Sequence, residues 1–191
     1  MTPTTLYVLM VVFLATLIRL TLGFGESLVA VPLLALRIPI AVAAPLAVLV
    51  SSLVAAVIVA QDWRKIEVRS AGGLVVASLF GITLGLLLLT MANEQVVKML
   101  LGLLIVAFSV YSLAFRARLH LETDRPAWLA GAGFLSGILG GAYGMNGPPL
   151  AIYGALRRWP PQRFRATLQG YFLPASLAGL LGYAMMGLLG S

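Results

Sequence analysis

Cysteine is absent from the 191 residues, which excludes disulfides, thiolate metal sites and cysteine nucleophiles. Histidine occurs once, at His120, and acids only six times, too few for most hydrolytic or metal-dependent chemistry. Charge is scarce at 10% of residues, where an average soluble domain has ~25%. What is abundant is apolar: 61% of residues, with a mean hydropathy of +1.02. Too little polar surface is left to coat a water-soluble fold, so the chain reads as an all-α integral membrane protein. The thirteen Lys and Arg against six Asp and Glu give a net charge of +7. In a membrane protein that excess marks cytoplasmic loops and anionic lipid head groups, not nucleic acid.

A helix needs ~20 apolar residues to cross ~30 Å of hydrocarbon. Uninterrupted stretches at 40–60, 71–91 and 96–115 meet that length, and 166–189 meets it with a kink expected at Pro174. Two further apolar stretches are broken. The first, 5–36, is interrupted by GFGES (Gly23–Ser27); the second, 127–156, by GMNGPP (Gly144–Pro149). Each has a long arm, a Gly-rich break and a short arm. Paired interrupted segments in corresponding positions point to a transporter's binding site. The first segment lacks the basic start and the cleavage pattern of a signal peptide and reads as a membrane helix.

Charge decides between crossing and turning back. Arg64, Lys65, Arg69, Arg116, Arg118 and Arg125 fall on one side, two full helices apart. If the second broken segment crosses, Arg157, Arg158, Arg163 and Arg165 join Arg37 and Lys98 opposite, an even split. If it is a re-entrant hairpin, the division is ten against two. The positive-inside rule favours the latter. Both broken segments are therefore expected to be hairpins dipping in from opposite faces, with the Arg-rich loops, Trp63, Trp128 and Trp159 at the cytoplasmic side and the N-terminus outside. Residues 1–125 then form a first repeat and 126–191 a partial, inverted second one. Long arms that span most of the membrane are the alternative.

The runs LGFGESLVAVPLLALRIP, GGAYGMNGPPLAIYGAL and RFRATLQGYF resemble the sulfite exporter TauE/SafE family over nearly the whole chain. The resemblance implies an all-helical secondary transporter of two inverted repeats, an exporter of sulfite, sulfonates or related small organic anions across the bacterial inner membrane. Two departures stand out. The second half ends without counterparts of the helices at 71–91 and 96–115, as in a short member, a fragment or a chain that pairs with another copy. Glu26 also occupies a place where the family usually has a small residue. The alternative to a transporter is a non-transporting subunit, or a partial half that functions only in a homo-oligomer. An enzyme is disfavoured, because the acids form no membrane-depth cluster and His120 lies in a loop.

The breaks themselves have a chemistry. Glycines at 23, 25, 144 and 147 permit the turn and close approach of a ligand. Ser27 and Asn146 are good N-cap types, and Pro148 suits a first turn. Two facing helix N-termini would offer partial positive charge and free N–H donors to a small anion. Arg19 lies one turn before Gly23, and intramembrane ionisable residues are functional candidates. It either contacts the anion, with Glu26 balancing it or carrying a proton, or forms a private pair with Glu26. Ser51, Thr167 and Gln169, on the helices that follow the hairpins, either bind substrate or satisfy unwound backbone. Small-residue stripes at Gly73/Ala77/Gly81/Gly85 and Gly133/Gly137/Gly141 read as close helix packing. No cofactor or metal is expected. The partners are a small anion and anionic lipid.

Overall fold

In a computed structural model, residues 3–114 and 126–189 are described. His120, with Arg116, Arg118 and Arg125, lies outside them. Eight α-helices follow in order: α1 Pro3–Leu22, α2 Glu26–Leu34, α3 Ile40–Asp62, α4 Val68–Met91, α5 Glu94–Ala114, α6 Pro126–Tyr143, α7 Gly147–Leu156 and α8 Pro161–Met185. Four segments, Pro3–Thr21, Ile40–Lys65, Val68–Met91 and Glu94–Tyr111, are long and apolar enough to cross a membrane. The protein is a multi-pass membrane protein.

Both broken segments fold back on themselves. α2 returns along α1, with Val11, Ala15, Ala30 and Leu34 in one buried cluster and the Tyr7 hydroxyl donating to the Leu33 carbonyl at 2.7 Å. α7 returns along α6, so that Trp128, Ala132 and Leu135 line one groove with Ile152, Tyr153 and Leu156. The turns need left-handed backbone: Gly23 has φ +83° and its counterpart Gly144 φ +65°, values at which a side chain is strained.

The elements recur at a fixed spacing. α7 begins 121 residues after α2 (147 against 26), and α8 begins 121 residues after α3 (161 against 40). Pro39 and Pro160, which precede α3 and α8, share one extended conformation, φ −57° with ψ 146° and φ −54° with ψ 143°. A proline with fixed φ and no N–H launches each long helix in the same direction. α3 and α8 then pack with opposite sense: Val48, early in α3, approaches Gly179, late in α8, while Ile66, beyond α3, covers Gly170. The two hairpins therefore enter from opposite ends, an inverted-repeat bundle.

One end of the bundle gathers the starts of α4, α6 and α8: the Thr167 hydroxyl accepts the Glu67 N–H at 3.1 Å, and Arg163 lies 3.7 Å from the Glu67 carboxylate. Trp63, Trp128, Arg69 and the 157–165 turn sit at that end. Arg37 and the Glu94–Lys98 pair sit at the other, where the starts of α3 and α5 meet the end of α4.

α4 and α6 run parallel in intimate contact. A Cβ on Gly81 would strike the Phe134 carbonyl and one on Gly85 the Ile138 carbonyl; from the opposite side, Gly137 lies on Ser78 and Gly141 on Ile82. The two small-residue stripes face each other, and backbone meets backbone, where dispersion and weak C–H···O contacts replace a hydrophobic drive that lipid does not supply.

Helix boundaries differ from the hydropathy reading at α8, which starts at Pro161, continues through Pro174 and stops at Met185, not Leu189. The stop is local. Gly187 turns left-handed (φ +74°), and the Leu188 N–H returns to the Tyr183 carbonyl at 2.9 Å, closing the helix with a Schellman-type bond.

Gly137→Ala and Gly81→Ala are expected to destabilise the detergent-solubilised protein by about 1–3 kcal/mol each through overpacking. Gly72→Ala, with nothing within 4 Å of the new Cβ, should be neutral or slightly stabilising. Thermal unfolding followed by circular dichroism distinguishes these outcomes.

Candidate functional site

The first tip reaches the second and third turns of α8, where the Gln169 amide donates to the Gly23 carbonyl at 2.8 Å and Arg165 donates to the Leu20 carbonyl at 3.1 Å. The second tip reaches the second and third turns of α3, with Gly144 against Ala44 and Val48. The long arms thus run somewhat past the middle of the bundle, and the tips lie side by side. A Cβ on Gly147 would sit 3.9 Å from that of Phe24. Between them is a cavity of about 20 Å³, room for about one water molecule.

Nine of the twelve residues singled out in the sequence line this cavity: Arg19, Gly25, Glu26, Ser27, Ser51, Gly144, Asn146, Gly147 and Pro148. Phe24, Leu28, Met145 and Phe172 join them. Phe172 stands 121 residues after Ser51, a correspondence visible only once the repeat spacing is known. Gly23 and Gln169 sit directly behind the lining. Thr167 does not line the cavity; its hydroxyl serves the Glu67 backbone near the start of α4.

Arg19 dominates the electrostatics. It is 2% exposed and Glu26 3%. One guanidinium nitrogen donates to Glu26 Oε2 and to Ser51 Oγ, both at 2.5 Å, and another to Gln169 Oε1 at 2.6 Å. Thr16 hydrogen-bonds the same carboxylate, and the guanidinium carbon stands 5.4 Å from the centre of the Phe172 ring. A buried ion pair holds only where such extra hydrogen bonds satisfy both partners. Satisfaction is incomplete at two atoms, since Arg19 Nε and Asn146 Oδ1 are buried without a hydrogen-bond partner. A donor and an acceptor are thus left open on residues that line one small cavity.

The helix N-termini are unequal. α2 starts after Gly25, itself left-handed at φ +95°, so Ser27 lies inside the helix instead of capping it. Its first N–H groups, on Glu26, Ser27 and Leu28, have no acceptor within the helix. Asn146 occupies the cap position of α7 but makes no capping bond; its side chain lies against Gly140, and its carbonyl accepts from the Ser136 hydroxyl. Pro148 and Pro149 remove two of the donors that α7 would have offered. The second tip therefore supplies dipole and shape, and the first supplies most of the donors.

Among the described residues no group of three His, Asp or Glu could hold a metal. A hollow of about 980 Å³ between α4 and α6 is a mainly apolar surface groove remote from the tips.

Inverted hairpins whose tips meet around a buried cation define a membrane-transporter architecture in the inverted-repeat class. The chain matches the sulfite exporter TauE/SafE family over residues 8–190 and belongs to it. No curated protein and no solved structure matches it.

Removing one member of the buried pair should cost about 3–5 kcal/mol. Arg19→Leu and Glu26→Leu are each expected to lower stability to that extent, while the double variant recovers part of the loss. A double-mutant cycle on unfolding in mixed micelles measures the coupling.

Proposed function

We propose that the protein is a secondary transporter that moves a small oxyanion, sulfite or a sulfonate by family membership, across the bacterial inner membrane, with the anion held between the two tips. The observation that carries this reading is the buried Arg19 Nε–H, without a hydrogen-bond partner, on a residue that lines a cavity together with Glu26, Ser27 and Leu28, the first residues of α2. Buried donors left without acceptors are costly in a membrane interior, and an oxyanion is the ligand that satisfies them together. Arg19, Ser27 and Ser51 supply side-chain donors, and Gly25 and Gly147 permit close approach. Gln169 orients Arg19.

A cavity the size of one water is too small for sulfite, so loading requires the tips to part. The contacts that hold the first tip to α8 include Phe24 edge-on to Phe164 at 6.1 Å, Arg165 on Leu20, Gln169 on Gly23 and Arg19 on Gln169. Rocking of the hairpins against α3 and α8 breaks these contacts in turn and exposes the cavity to alternate sides. The crowding of arginines at the 157–165 end makes that end cytoplasmic, where those residues also meet anionic lipid head groups. Residues 1–125 form the first unit and 126–191 a partial, inverted second one.

Sulfite flux into proteoliposomes tests the reading. Arg19→Gln should reduce the flux at least tenfold. Gly147→Val, which pushes a side chain towards Phe24, should abolish it while the protein stays monodisperse. Gly131→Ala, in open space, should leave it unchanged. Undiminished flux in both site variants would contradict the tip site.

A further inference from the structure

We infer that Glu26 carries a proton into the site with each anion, so that transport is anion–proton symport. The inference rests on the tip-site reading above and adds the coupling ion.

The argument is one of charge. In the closed site one guanidinium faces one carboxylate at 2.5 Å, and both are buried. No other charged side chain lines the cavity among the described residues. The groups that face the pair are neutral: Thr16 on α1, Ser51 on α3, Gln169 and Phe172 on α8, and Asn146 at the second tip. The nearest further cation on α8 is Arg165, which is exposed and bound to the Leu20 carbonyl. The site is therefore neutral when empty.

An anion added to it alone would leave a net negative charge beside side chains that are buried in the bundle, where unpaired charge carries a heavy desolvation penalty. It would also compete with the Glu26 carboxylate for the one guanidinium that lines the cavity among the described residues. Protonation of Glu26 removes both obstacles. A proton from water forms the O–H bond on the carboxyl, and the Arg19–Glu26 ion pair is exchanged for an Arg19–anion pair. The net charge of the site stays at zero. The new hydroxyl keeps Thr16 as a neighbour. On release the sequence reverses: the anion leaves, the carboxyl gives up its proton and the original pair reforms. The second tip carries Gly140 and Gly147 at the positions equivalent to Arg19 and Glu26, so the exchange belongs to one tip only. One proton accompanies each monovalent anion.

The sign follows from linkage. A bound anion favours the protonated carboxyl, so affinity is high at low pH and falls as Glu26 ionises. Sulfite binding to the purified full-length protein and to Glu26→Gln, compared between about pH 5 and pH 9, isolates the residue, because both proteins meet the same mixture of sulfite and hydrogen sulfite. The wild-type affinity relative to E26Q should fall about tenfold per pH unit once Glu26 ionises. Calorimetry in buffers of different ionisation enthalpy should show one more proton taken up per sulfite bound by wild type than by E26Q in that range. A constant affinity ratio with equal proton uptake overturns the coupling and leaves the anion site standing. Failure of both proteins to bind sulfite overturns the anion site, and the coupling with it. If E26Q is not monodisperse, the wild-type proton count decides: one proton beyond sulfite's own complement supports the inference, and none overturns it.

Discussion

The structure depends on how a backbone break is satisfied inside a bundle that gives it almost no water. A helix interrupted at membrane depth frees N–H and C=O groups, and each must find a partner within the protein. At the first tip Gln169 takes the Gly23 carbonyl, Arg165 the Leu20 carbonyl, and Arg19 binds the glutamate that opens the returning helix. At the second tip Ser136 holds the Asn146 carbonyl and Tyr183 the carbonyls of Gly140 and Gly141. At the tips themselves Arg19 Nε and Asn146 Oδ1 stay without a hydrogen-bond partner, both on residues that line the cavity.

The two halves share a frame but not a chemistry. The proline launch, the left-handed glycine and the hairpin all recur at a spacing of 121 residues (147 against 26, 161 against 40). Charge does not recur: Arg19 and Glu26 are matched by Gly140 and Gly147. Small residues at the second tip let Asn146 lie flat on Gly140 and let Phe24 approach Gly147. The polar group is thus concentrated on one side, and the other is shaped to receive it. This division leaves Arg19 and Glu26 as the charged side chains that line the cavity among the described residues. The glycine faces of α4 and α6 clamp the second hairpin, backbone against backbone, so that its position is set by sterics.

Much of this was legible in the residues. Hydropathy marked the long helices, the Gly-rich breaks marked both tips, and the arginine distribution favoured fold-back over crossing; α2 packs along α1 and α7 along α6. Side-chain choice was harder to read. Ser27 looks like a cap because its type suits one, yet Gly25 in a left-handed conformation takes the cap position two residues earlier. Thr167 sits beside Gln169 in sequence, but helical rotation turns it towards Glu67. Two adjacent prolines that suit a first turn also strip it of donors, so the pair of equivalent anion-binding N-termini expected from the sequence is unequal. Phe24 and Phe172 carry no polar signal and become visible only through packing. The spacing itself was readable in Arg37-Ile38-Pro39 against Arg158-Trp159-Pro160, a signal too short to stand out before the helices were aligned.

The meeting of the tips is open to a direct measurement, since the chain has no native cysteine. Phe24→Cys combined with Gly147→Cys places two Cβ atoms 3.9 Å apart, within the ~3.5–4.5 Å that a disulfide requires. Oxidation in native membranes should form an intramolecular disulfide that protects both cysteines from a thiol reagent, and reduction should restore labelling. Two cysteines that stay reduced under oxidant, each freely labelled, would contradict the account.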